Sequence, residues 1–91
     1  MDEDTRKKTV ARLRRAAGQV DGVARMVAEE REVGAVLVQI AAARAALGRA
    51  AALLLEEHVR HAIEDAVQAD DAARDRLRAE LLDVFSRYCT S

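Results

Sequence analysis

From Thr5 the apolar residues Val10, Leu13, Ala17, Val20, Ala24 and Val27 alternate at spacings of three and four, the stripe of a helix that packs along one side. Asp4 or Thr5 stands where an N-cap belongs, and the helix is expected to run to about Glu30. There Glu29-Glu30-Arg31-Glu32 and then Gly34 interrupt the stripe, which predicts a short turn. A second helix is expected to begin between Val33 and Ala35 and to run through Leu37, Ile40, Leu47, Ala51 and Leu54 to Glu64 or Val67. Its length is about thirty residues, on the order of 45 Å. Val36, Leu37, Val38, Ile40, Leu53, Leu54 and Leu55 surround much of its circumference, more than one neighbour in a three-helix monomer can cover, so burial in an oligomer is expected. The polar run Gln68-Ala69-Asp70-Asp71 breaks the pattern, and Asp70 or Asp71 can cap a third, shorter helix with apolar positions Leu77, Leu81, Val84, Phe85 and Tyr88. No repeat or linker divides the chain, and one domain over residues 1–91 is expected.

Composition sharpens this picture. Half of the chain is hydrophobic (51%), but 20 of those residues are Ala and only Phe85 and Tyr88 are aromatic, so the core must come from closely packed Ala, Val and Leu. Proline is absent and there are four glycines, which favours long helices and an all-α class. At 91 residues a lone protomer buries only roughly 60% of the surface its unfolded chain exposes, a second reason to expect partners. One cysteine, Cys89, excludes an internal disulfide, and the acidic start Met1-Asp2-Glu3-Asp4 is unlike a signal peptide, so a cytoplasmic location is expected. The tract from Gly34 to Leu55 has the length of a membrane span but carries Gln39, Arg44 and Arg49, and reads as a buried helix of a protein without a membrane.

The net charge of −1 conceals a polarised chain. Arg6, Lys7, Lys8, Arg12, Arg14 and Arg15 fall in ten residues without an acid, whereas Glu56 to Ser91 holds nine acids against five bases. Such a basic run, with Arg12, Arg15 and Lys8 toward one side of a helix, can neutralise several phosphates; the bland alternative is a solvated basic face. No helix-turn-helix, zinc-finger or basic-zipper pattern accompanies it. Enzymatic constellations are missing: the four glycines are too scattered to cradle phosphate, Ser86 and Ser91 have no neighbouring His, and the acid pairs Glu56-Glu57 and Glu64-Asp65 fit a solvated helix face. His58 and His61, three residues apart on a helix, could clamp a metal between them, although two ligands do not make a stable site; the alternative is a helix end with one half-buried and one exposed His. Cys89 is a thiol sensor or ligand, or else a residue of a frayed end packed beside Tyr88.

Three blocks carry a resemblance: Arg12-Leu13-Arg14-Arg15 with Gly18-Gln19-Val20-Asp21-Gly22-Val23-Ala24-Arg25-Met26, then Gln39-Ile40-Ala41-Ala42-Ala43-Arg44-Ala45-Ala46-Leu47, then Leu54-Leu55-Glu56-Glu57-His58-Val59-Arg60-His61. In order and spacing the chain resembles the bacterial copper-sensing operon repressors (CsoR), whose relatives respond to nickel and cobalt (RcnR), formaldehyde (FrmR) or sulfur species (CstR). The resemblance implies a three-helix protomer, an antiparallel four-helix bundle in the dimer and a dimer of dimers. It also implies a DNA-binding transcriptional repressor that holds double-stranded operator DNA, often a GC-rich inverted repeat, and releases it when an inducer binds between protomers. By motif match Arg12 and Arg49 take the places of DNA contacts, with Arg14, Arg15 and Arg44 as further contacts, chiefly to phosphates.

The sensor departs from the family's pattern. Of its two cysteine positions, one falls on Val33 and the other on Ala62, while the histidine is kept as His58 and an acid that couples inducer binding to DNA release is matched by Glu80. Cuprous copper favours soft thiolates, so this set disfavours it and leaves a metal held by His58, His61 and acids, another small molecule, or no inducer. Two further readings stay open: a helical oligomerisation module that acts through protein partners without DNA, and metal storage or delivery.

Overall fold

Asp2, and not Asp4 or Thr5, starts the first helix. Its backbone is extended (φ −72°, ψ 160°) and its carboxylate accepts a hydrogen bond of 2.8 Å from the Thr5 amide, which satisfies one of the orphan donors of the first turn. Glu3 and Asp4 then fall inside that turn, beside the positive end of the helix dipole. The computed structural model describes residues 1–88, so Cys89 and the reading placed on it lie outside the described residues. In order, the elements are α1 (Glu3–Ala28), α2 (Val33–Gln68) and α3 (Asp71–Tyr88), with no strand among the described residues. The expected all-α class and element order are present; α1 begins and ends two residues before its expected limits.

The turn after α1 is made by Glu30, not by glycine. The Arg31 amide donates to the Met26 carbonyl and the Glu30 amide to that of Val27, each at 3.0 Å, and Glu30 has φ 55°. This is the paired hydrogen-bond pattern that closes a helix through one left-handed residue, a place usually filled by glycine. Gly34 lies inside the first turn of α2, where the Glu32 carboxylate caps the amides of Gly34 (2.8 Å) and Ala35 (2.9 Å). A Cβ on Gly34 would stand 2.8 Å from Glu32 Oε1, so the glycine makes room for the cap and does not form the turn. Glu30→Gly is expected to stabilise the protein by about 0.5–1 kcal/mol, because a side chain in the left-handed region is penalised and glycine is not. The measurement is a rise in the urea midpoint at unchanged slope and fixed protein concentration.

Asp70 starts α3 by accepting from the Ala73 amide at 2.8 Å, and Arg74 Nε donates to the Ala66 carbonyl at 2.8 Å, covering one of the last carbonyls of α2. With 36 residues, α2 is about 54 Å long. The chain forms two compact units, Met1–Leu55 and Glu56 onward, with α2 running from one into the other.

In the first unit the buried positions are Thr9 and Ala16 of α1 and Val36, Ala43, Ala46 and Ala50 of α2. Steps of seven separate Thr9 from Ala16 and link Val36, Ala43 and Ala50, so two helical seams of mostly small side chains meet, which lets backbones approach closely. Thr9 is tolerated there because its hydroxyl donates to the Thr5 carbonyl at 2.7 Å. The stripe expected to pack, Val10, Leu13, Ala17, Val20, Ala24 and Val27, lies next to this seam and is exposed throughout, Leu13 by 42%. The same holds on α2, where Leu37, Ile40, Leu47 and Leu54 are exposed. Bulky aliphatic residues thus form an outer face and small ones the inner contact. In the second unit Glu57 and Ala62 are buried and Leu77, Leu81 and Val84 half-buried.

Candidate nucleic-acid interface and sensor positions

The acidic first turn of α1 tempers the basic run. Glu3 pairs with Arg6 at 2.5 Å and Lys7 at 3.7 Å, and Asp4 with Lys8 at 3.0 Å. Residues 8, 12 and 15 recur at spacings of four and three, so they share one face of α1, and Arg49 joins them from α2. Lys8, Ala11, Arg12, Arg15, Ala46 and Arg49 line a cleft of about 320 Å³. Ala11 and Ala46 are small enough to leave this space open, and buried Ala46 belongs to the seam that holds α1 and α2 together. Arg12, Arg15 and Arg49 have no acid partner among the described residues. A concave set of three uncompensated guanidinium groups, joined by the Lys8 ammonium that Asp4 also pairs, is suited to oxyanions, since guanidinium donates in a planar fork that matches phosphate.

Of the five arginines singled out in the sequence, Arg12, Arg15 and Arg49 therefore come together, and Lys8 completes the set. Arg14 is exposed but sits about 100° around the helix from Arg15 and does not line the cleft. Arg44 lines a different groove of about 220 Å³, with Val20, Val23, Ile40, Ala43 and Leu47. That groove is apolar and belongs to the outer aliphatic face.

The register of α2 also orders the sensor positions. Val33, Ile40, Leu47 and Leu54 recur every seven residues, and Leu37, Arg44, Ala51 and His58 follow each of them by four. His58 thus continues the outer series that Val33 begins. It is exposed and makes no hydrogen bond or ion pair among the described residues; Glu80, exposed on α3, makes none either, so the structure does not join His58 to Glu80. Ala62, one turn after His58 and about 40° around the helix from it, is buried. His58 and His61 do not converge as a clamp. The ring of His61 turns to Glu57, with Nε2 2.7 Å from Oε1, and Glu57 is also bound by Arg60. No group of three or more His, Cys, Asp or Glu suited to a metal occurs among the described residues.

The sequence reading missed this Glu57–Arg60–His61 cluster. A signal was available, because Glu57 follows Val36, Ala43 and Ala50 at the same step of seven and is an acid where the seam calls for an apolar residue. Its side chain is only 5% exposed, so its charge requires the partners it has.

The all-helical protomer has counterparts among known proteins. The family described as metal-sensitive transcriptional repressor matches residues 5–87. The copper-sensing transcriptional repressor CsoR of Bacillus subtilis (strain 168) is 41% identical over 80 residues, 88% of this chain and 77% of that protein. The copper-sensing transcriptional repressor RicR of Mycobacterium tuberculosis is 40% identical over 80 residues, covering 88% and 83%. The crystal structure of the copper-sensing repressor CsoR with Cu(I) from Geobacillus thermodenitrificans NG80-2 superimposes with a TM-score of 0.84 at 32% identity, over 99% of this chain and 92% of that one. The chain belongs to the metal-sensitive transcriptional repressor family, as a CsoR-like member, and is a transcriptional repressor and not an enzyme.

Proposed function

We propose that this repressor holds the phosphates of operator DNA in the cleft of Lys8, Arg12, Arg15 and Arg49, and that it answers to an inducer other than the cuprous ion for which its relatives are named. The observation that carries the first part is the convergence of three arginines without acid partners on one cleft built from two packed helices. Arg14 and Arg44 lie outside that cleft and are secondary contacts in this reading. The second part rests on Val33 and Ala62. Neither side chain offers a thiolate, and a soft cuprous ion has no matching donors at those positions. His58 and Glu80, both exposed and unengaged, are the pair proposed to transmit inducer binding to the DNA face.

The exposed aliphatic series on α1 and α2 is covered by a second copy of the chain, as a four-helix dimer and then a dimer of dimers. This also accounts for α2 being long and apolar enough to cross a membrane by composition alone. Its outer face is an interface between copies, and the protein works in the cytoplasm.

Anisotropy of the protein on its own upstream DNA across a salt series tests the reading. Affinity is expected to fall steeply with salt, and Arg12→Ala to make the log–log slope shallower by about 1 for each chain that engages a phosphate. DNA binding absent at every salt concentration would replace the repressor reading with an oligomerisation module acting through protein partners.

A further inference from the structure

The block Gly18-Gln19-Val20-Asp21-Gly22 has no part in the basic cleft as described, yet Gln19 continues one wall of it. Lys8, Arg12, Arg15 and Gln19 follow one another at spacings of four, three and four, so all four share one face of α1. On α2 the lining residues Arg49 and Ala46 lead on to Ala42 at spacings of three and four. The helices run antiparallel here: Arg12 and Arg15 line a cleft with Ala46 and Arg49, and Val20 and Val23 line a groove with Ile40 and Ala43. Gln19 therefore stands level with Ala42 and Ala43, one turn beyond Arg15 or about 6 Å further along the axis. Val10, Leu13 and Ala17 of the aliphatic stripe lie about 120° or more around the helix from it, so a second copy seated on that stripe leaves Gln19 free.

The side chain of Gln19 gives the protomer no hydrogen bond. It is half-buried, and its Oε1 is buried without a partner among the described residues. Its Nε2 is neither closed off in the same way nor bonded to the protein. An unpaired buried acceptor lowers stability, and an aliphatic side chain of similar size would avoid that penalty, so packing alone does not account for an amide here. Such local costs fall where a side chain serves a partner. With the oxygen turned inward, the end left to offer is an N–H donor in line with three guanidinium groups suited to phosphate.

We propose that Gln19 is a further DNA-contact residue, whose Nε2 donates to a backbone phosphate next to those held by Arg12, Arg15 and Arg49. The proposal rests on the operator-binding reading of the cleft. It adds a neutral contact that fixes the position of the strand without adding charge.

The experiment is anisotropy of the full chain on its upstream DNA across a salt series. A neutral hydrogen bond releases no counterion, so Gln19→Ala is expected to lower affinity about tenfold at every salt concentration with the log–log slope unchanged, whereas Arg12→Ala makes the slope shallower. Gln19→Glu keeps the shape but replaces the donor with a carboxylate, and is expected to lose at least as much. Both variants are expected to match the unaltered protein in circular dichroism and sedimentation, since no hydrogen bond within the chain is lost. An affinity unchanged in Gln19→Ala or in Gln19→Glu, a slope as shallow as that of Arg12→Ala, or a loss that follows a shift in sedimentation would each overturn the assignment. If the unaltered protein binds no DNA, the operator-binding reading fails and this contact with it; if it binds and Gln19→Ala binds equally well, only this contact fails.

Discussion

Replacing Arg12, Arg15 and Arg49 together with alanine is expected to lower operator affinity by at least ~10³-fold at moderate salt while leaving the helical content unchanged. Each charge-assisted contact to a phosphate contributes about 1.5 kcal/mol, and three of them in one chain come to roughly 4.5 kcal/mol before further copies are counted. The fold is not at risk. All three side chains are exposed, none has an acid partner among the described residues, and removing them relieves mutual repulsion. The matched control is Arg6, Lys7 and Arg14 to alanine, which removes as much formal charge from the same helix. Two of those residues are already paired with Glu3 and the third lies outside the cleft, so the control is expected to lose far less affinity. Equal losses in the two triple variants, measured by anisotropy at one salt concentration, would mean that net charge on α1 and not the cleft holds DNA. The salt slope separates the cases further, because counterion release follows phosphates contacted and not charges present.

What the sequence revealed and what it hid both follow from side-chain size. The three helices were legible because apolar spacing over 18 residues or more reports a helix whichever neighbour covers it. The inner contact was not. Hydropathy singles out Val10, Leu13, Val20 and Val27, yet α1 meets α2 through Thr9 and Ala16, which are small and only weakly apolar. The visible stripe is exposed in the protomer, offset by one residue from the seam within the chain. Gly34 misled for a related reason: glycine usually marks a turn, but here it clears space for the Glu32 cap while Glu30 takes the left-handed position. At the basic face, spacing alone grouped Lys8, Arg12 and Arg15, and the family resemblance added Arg49, which periodicity within α1 could not supply. The pairing of His61 with Glu57 stayed hidden because spacing of three favours His58 equally well, and only the burial of Glu57 decides between them.

A charge on the outer face discriminates most sharply between a monomer and an assembly. Leu47 is 47% exposed in the protomer, so for a monomer Leu47→Asp is a surface change expected to alter stability by about 0.5 kcal/mol or less. If a second copy covers the series Val33, Ile40, Leu47 and Leu54, the same change puts an unpaired carboxylate in an apolar interface at a cost of several kcal/mol. Sedimentation is then expected to shift to the monomer at micromolar protein, and DNA binding to fall with it because several chains no longer act as one body. Melting offers a second readout. The unaltered protein gains stability with concentration, since association favours the folded form, and the variant loses that dependence. Ala50→Leu provides the contrast. Ala50 is 1% exposed on the inner seam, so the larger side chain overpacks the contact and costs about 1–3 kcal/mol at every concentration, with or without a partner. The outer-face reading requires a concentration-dependent loss for Leu47→Asp beside a concentration-independent one for Ala50→Leu; unchanged sedimentation and melting in Leu47→Asp would leave the aliphatic face without a second copy.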